Sequence, residues 1–132
     1  MTMTDPIADL IIRIRNAGMA KHRTVEVPYS KIKAEITKIL KENGMIADYR
    51  VLTDTFPLKI RILLKYNRDE EHIIKGMKRI SKPGLRIYTG REDVPVIRSG
   101  MGFAILSTSH GIMTDHDCRK VGIGGEVLAY IW

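Results

Sequence analysis

Cysteine is nearly missing from this chain. Cys118 stands alone among 132 residues, which excludes an internal disulfide framework and agrees with a reducing compartment. No apolar run approaches the ~18 residues of a spanning helix, and the opening Met1-Thr2-Met3-Thr4-Asp5 has no basic stretch ahead of an apolar one. Neither a membrane span nor a secretory leader is expected, and a cytoplasmic protein is. There is no Gly-x-x-x-x-Gly-Lys-Ser/Thr, and Gly100-Met101-Gly102 lacks a third glycine and precedes a strand rather than following one, so no nucleotide fingerprint is present. Internal repeats and low-complexity segments are also lacking.

What is present is positive charge. Lys and Arg number 22 against 15 Asp and Glu, a net +7, and a 44% hydrophobic fraction supports a packed fold rather than a basic tail. Such a surface suits a polyanion through phosphate neutralisation and counterion release, without separating RNA from DNA or membrane. The charge is uneven. Residues 11–41 hold eight basic and two acidic side chains, residues 59–91 hold ten and three, and Ser107 to Trp132 holds two and three.

Hydrophobic spacing predicts an α+β fold in two small lobes. Asp5-Pro6 starts a helix with Ile7, Leu10, Ile11 and Ile14 on one face, and Gly18 offers its stop. Thr24 to Val27 alternates as a strand that Pro28 ends. A second helix runs from about Ser30 to Asn43-Gly44, and Lys31, Lys33, Lys38 and Lys41 make a basic face on it. Met45 to Leu52 and Leu58 to Tyr66 read as strands, the second with Lys59, Arg61 and Lys65 on one parity and Ile60, Ile62 and Leu64 on the other. The first lobe is thus α-β-α-β-β over residues 1–65. The charged link Asn67 to Glu71 opens a second lobe, 66–132, expected to be mostly antiparallel β with a short helix.

Within the second lobe, Ile73 to Ile80 fits a helical stripe by periodicity but is short and holds Gly76, so a strand stays open. Ser81-Lys82-Pro83-Gly84 is a turn in which Pro83 fixes φ and Gly84 supplies freedom, and Leu85 to Tyr88 is a short strand after it. That leaves Lys82 and Arg86 beside Tyr88, a ring able to stack on a base or to pack at a core edge. Glu92 to Arg98 is a connector or helical turn. Phe103 to Leu106 is a strand, 115–121 a short helix capped by Thr114 and stopped by Gly122, and Val127 to Trp132 a closing strand.

The strand from Phe103 delivers three consecutive hydroxyl residues, Ser107-Thr108-Ser109, then His110 and Gly111. Hydroxyls donate and accept, so such a tip can meet base edges, ribose and phosphate alike, and Gly111 without a Cβ admits a close neighbour. An ordinary polar hairpin turn is the plain alternative. Cations then supply affinity while the neutral tip discriminates. Ser107, Ser109, His110 and Asp115 hold the letters of a hydrolytic triad, but Ser109 and His110 are adjacent, adjacent side chains on an extended segment diverge, and no Gly-x-Ser-x-Gly elbow is present. His110, His116 and Cys118 lack a second ligand pair, so no metal and no other cofactor is expected. A DNA-binding architectural protein would share the charge but would need a recognition helix.

Four stretches in order resemble one family. Asp5-Pro6-Ile7-Ala8-Asp9 with Arg13 to Ala17, Ser81 to Tyr88, Ser107-Thr108-Ser109-x-Gly111-Ile112-Met113-Thr114-Asp115, and Gly124-Gly125-Glu126 to Trp132 are similar to the bacterial eighth small-subunit ribosomal protein family. The resemblance covers essentially the whole chain. It implies a non-enzymatic, monomeric protein that binds the central domain of small-subunit ribosomal RNA, aids assembly beside neighbouring ribosomal proteins, and in some members represses its own operon messenger. It implies RNA contacts at Ser107, Thr108, Ser109 and Gly111, with Gly124, Glu126, Tyr88, Lys82 and Arg86 around them and Thr4, Asp5 and Lys31 as contacts from the first lobe. It also implies a strand for Ile73 to Ile80, against the periodicity.

Overall fold

The computed structural model describes residues 5–54 and 56–132, so the expected contact Thr4 lies outside the described residues. The chain divides into two units, Pro6–Ile74 and Lys75–Trp132, and Asp5 packs with the second.

In the first unit, α1 (Pro6–Met19) and α2 (Lys31–Glu42) cover one face of an antiparallel sheet built from β1 (Thr24–Pro28), β2 (Ile46–Leu52) and β3 (Lys59–Leu64), in the order β1-β3-β2. The helical stripes bury Leu10, Ile14 and Leu40 against Ile46, Ile60 and Ile62. Removing this apolar surface from water is the main force holding the layers together. Ser30 caps α2 by accepting from Lys33 N at 3.2 Å, and Asn43 closes it with Nδ2 donating to Ile39 O at 2.8 Å.

Lys33 does not belong to the expected basic face. It is buried, with its ammonium 3.4 Å from Asp9 and 3.3 Å from Pro28 O. Spacing along α2 alone could not reveal this, because Asp9 lies on α1. The unit also extends past the charged link. Ile73 N donates to Lys65 O, Tyr66 bridges His72, and a Cβ on Gly18 would sit 2.3 Å from the His72 ring, so residues 66–74 pack with the helices.

The second unit is a five-stranded antiparallel sheet. Its strands are β4 (Met77–Arg79), β5 (Tyr88–Thr89), β6 (Phe103–Thr108), β7 (Gly111–Thr114) and β8 (Gly125–Ile131), with α3 (Asp115–Val121) between the last two. The order is β4-β8-β6-β7, and β5 pairs with the N-terminal end of β8. Ala104, Leu106, Cys118 and Val127 form its core with Val94 and Ile97. Thr114 caps α3 by accepting from Asp117 N, and Gly122 ends it at φ 83°. Buried Asp115 turns inward, accepting from Ala104 N at 3.0 Å and from Arg119 at 2.7 Å.

Three expectations for the second unit need correction. Only Met77–Arg79 of the segment from Ile73 to Ile80 is strand, because Lys75 N and Gly76 N both donate to Trp132 O and a Cβ on Gly76 would meet the indole at 2.2 Å. A strand from Leu85 is not formed either. Lys82 and Leu85 close on each other through two 3.0 Å backbone bonds, and pairing with β8 starts only at Tyr88. Gly84 is also absent from the positive-φ glycines, so that turn makes no use of left-handed freedom.

Candidate nucleic-acid interface

The hydroxyl run is split by the hairpin of β6 and β7. Ser107 and Thr108 are the last residues of β6, paired with Ile112 and Gly111, and Ser109-His110 forms the exposed turn. Gly111 has φ 100° while neither Ser109 nor His110 is positive, so the reversal depends on the glycine's left-handed backbone. A Cβ there would meet nothing within 4 Å, so the conformation rather than close packing requires glycine.

The three hydroxyls differ in availability. Thr108 Oγ1 donates to Gly111 O at 2.9 Å and accepts from His110 N at 3.0 Å, so it fixes the turn. Among the described residues, the Ser107 and Ser109 hydroxyls make no hydrogen bond, which leaves both free to meet a partner.

Sheet register gathers further candidates. Tyr88 pairs with Glu126, and Glu126 with Ser107, so the three side chains share one face in a row across β5, β8 and β6. The Tyr88 ring is 69% exposed. The row is tight because its backbones approach closely: a Cβ on Gly124 would lie 2.1 Å from Thr89 O, and one on Gly125 2.3 Å from Ser107 O. Gly124 therefore serves strand packing.

Glu126 is engaged within the protein. Its Oε2 accepts from Ser81 Oγ at 2.6 Å and from Arg86 at 2.9 Å. Partial burial works against its charge, but the Ser81 and Arg86 hydrogen bonds and the charges of Arg86 and Arg79 outweigh it and hold the carboxyl below its ordinary value. Lys82 and Arg86 precede Tyr88 on an exposed loop. Asp5, instead of standing free, accepts from Arg79 Nε at 3.1 Å, and Arg79 also donates to Leu128 O at 2.8 Å. Sequence reading passed over Ser81 and Arg79, whose partners lie 45 and more residues away.

Lys31 belongs to the first unit, exposed at the start of α2. The open face of that unit's sheet carries Glu26, Arg61 and Arg50 in one cross-strand row. Glu26 takes Arg61 at 2.8 Å. A shallow cavity of about 300 Å³ there is lined by Thr24, Asp48, Tyr49, Arg50, Arg61 and Leu63. Lys41 pairs with Asp48 at 2.9 Å, a bond that lowers the carboxyl's affinity for a proton. No helix among the described residues is long and apolar enough to cross a membrane, and no three His, Cys, Asp or Glu side chains among them gather to hold a metal.

These features define a class: a small, basic, two-unit α+β protein that displays cations and, on its second unit, the free Ser107 and Ser109 hydroxyls beside the exposed Tyr88 ring. The family model described as Ribosomal protein S8 matches residues 5–132. Small ribosomal subunit protein uS8 of Desulforudis audaxviator is 59% identical over 130 residues, covering 98% of this chain and 99% of that protein. The proteins of the same name from Geobacillus kaustophilus and Acholeplasma laidlawii are 55% and 54% identical over 132 residues, the full length of both chains. The chain belongs to the ribosomal protein S8 family, whose members are non-enzymatic constituents of the small ribosomal subunit.

Proposed function

We propose that this small-subunit constituent binds the central domain of small-subunit ribosomal RNA directly, reads an irregular, bulged helix with its second unit, and helps the subunit assemble. One observation carries the reading: the in-register row Tyr88, Glu126, Ser107, which leads to the free Ser109 hydroxyl and has Arg86 bonded to Glu126 at its side. An RNA duplex has a major groove too narrow for side chains, so recognition falls to the shallow minor groove and to unpaired bases. Short neutral hydroxyls suit the first, and an exposed ring suits stacking on the second. Glu126 and Thr108 then act as frame, while Ser107, Ser109, Gly111 and Tyr88 meet RNA and Lys82, Arg86 and Lys31 meet phosphates. Gly124 keeps strands close, and Asp5 steadies Arg79.

The free protein is a monomer in this reading, and its partners are ribosomal RNA and adjacent small-subunit proteins. The test is protection of RNA from chemical cleavage by the purified chain. One protected segment in the central domain is expected, and uniform protection, or equal competition by DNA, would refute sequence-specific RNA binding.

A further inference from the structure

Ser81 sits behind the exposed row and is fully buried. Its Oγ donates to Glu126 Oε2 at 2.6 Å and accepts from Ile87 N at 3.0 Å. Its own N–H donates to Val127 O at 2.9 Å, and Val127 N in turn donates to Ile87 O at 2.9 Å. Ile87 is therefore gripped at both backbone polar groups, and Tyr88 follows it directly. Residues 82–88 are all exposed, so none of their side chains anchors this loop in the core. Arg86 bonds the same carboxylate oxygen that Ser81 does.

We infer that Ser81 is a positioning residue of the RNA interface, its buried hydroxyl joining Glu126 to the Ile87 backbone and so setting where the Tyr88 ring stands. A hydroxyl is suited to this task because one atom donates to a carboxylate while accepting from an amide. Alanine in its place leaves Glu126 one donor short and the Ile87 N–H without its acceptor, so that Ile87 keeps only the bond its carbonyl accepts from Val127 N. The inference rests on the proposed RNA interface, and the experiment separates the two.

Amide exchange of the free protein and filter binding to a central-domain RNA fragment are measured for Ser81→Ala, Tyr88→Ala, Ser109→Ala and the doubles that combine Ser81→Ala with each. Ser81→Ala is expected to speed exchange at Ile87 about tenfold while Leu106 in β6 is unaffected, and to weaken RNA binding about tenfold. That weakening should shrink below about twofold once Tyr88 is alanine, yet persist in full beside Ser109→Ala. Should Ser81→Ala prove too unstable to purify, Glu126→Gln, which keeps an acceptor but removes the charge, is expected to show the same dependence on Tyr88. Unchanged exchange at Ile87, or an equal loss of affinity with and without the Tyr88 ring, would overturn the assignment. If Tyr88→Ala and Ser109→Ala both bind RNA like the parent, the interface itself is refuted and the role of Ser81 in it falls too.

Discussion

The two units handle their polar groups in opposite ways. The first displays charge on long, exposed side chains, with Lys31 and Lys38 open on α2 and Arg61 sharing Glu26 on the sheet, and it buries one cation, Lys33, beside Asp9. The second displays short neutral groups on backbone that close strand contacts hold in place, as at Gly124 and Gly125. Long charged chains tolerate imprecision, because attraction to phosphate reaches out to about a Debye length, ~8–10 Å. Hydroxyls act only at hydrogen-bond range, so their frame must be rigid. In the proposed reading, exposed cations of both units contribute affinity, and the hydroxyl tip of the second unit contributes shape recognition.

The sharpest way to break that contrast is to loosen the frame. Gly124→Ala or Gly125→Ala forces a methyl into a backbone carbonyl and is expected to cost about 3 kcal/mol of stability, together with most RNA binding. Gly84→Ala, with nothing within 4 Å, should change stability by less than ~1 kcal/mol. Denaturant midpoints of the three variants check this. Next comes the tip. Ser109→Ala should leave the midpoint unchanged and weaken specific RNA binding by ~1–3 kcal/mol, as measured by filter binding.

Acid sharpens the role of Glu126. Because its carboxyl is held below the ordinary value in the folded state, its contribution is complete above about pH 4.3 and disappears as pH falls through the lower folded value. Urea midpoints at pH 6 and pH 3.5 should show a larger acid loss for the parent than for Glu126→Gln. Asp48 shifts the same way through Lys41, so the difference between the two proteins isolates Glu126. The smallest effect is expected at Lys31. Its replacement by alanine should reduce the slope of log affinity against log salt by about 1 without altering sequence preference.

Local pattern made much of this architecture legible. The α1 and α2 stripes, the start of α2 near Ser30, the cap at Thr114, the stop at Gly122 and the alternation in β3 all appear where spacing and capping chemistry put them. What escaped depends on partners far along the chain. Lys33 reads as one more surface lysine until Asp9 is placed beside it, and Ser81 reads as a turn residue until Glu126 arrives from 45 positions later. The irregular stretch before β4 follows from the Trp132 carbonyl and ring, which no window around Gly76 contains. Of the hydroxyl run, sequence could not separate Thr108, which ties the turn, from Ser107 and Ser109, which remain open.

The most direct measurement places a cleavage reagent at the fingertip. Cys118 is buried, and burial followed by the charges of Asp115 and Asp117 pushes its thiol up, so a cysteine introduced as His110→Cys can carry a tethered iron chelate selectively. Hydroxyl radicals released there should cut one short segment of the central-domain RNA. Full binding with no cuts above background would show that the hairpin points away from nucleic acid and would contradict the account.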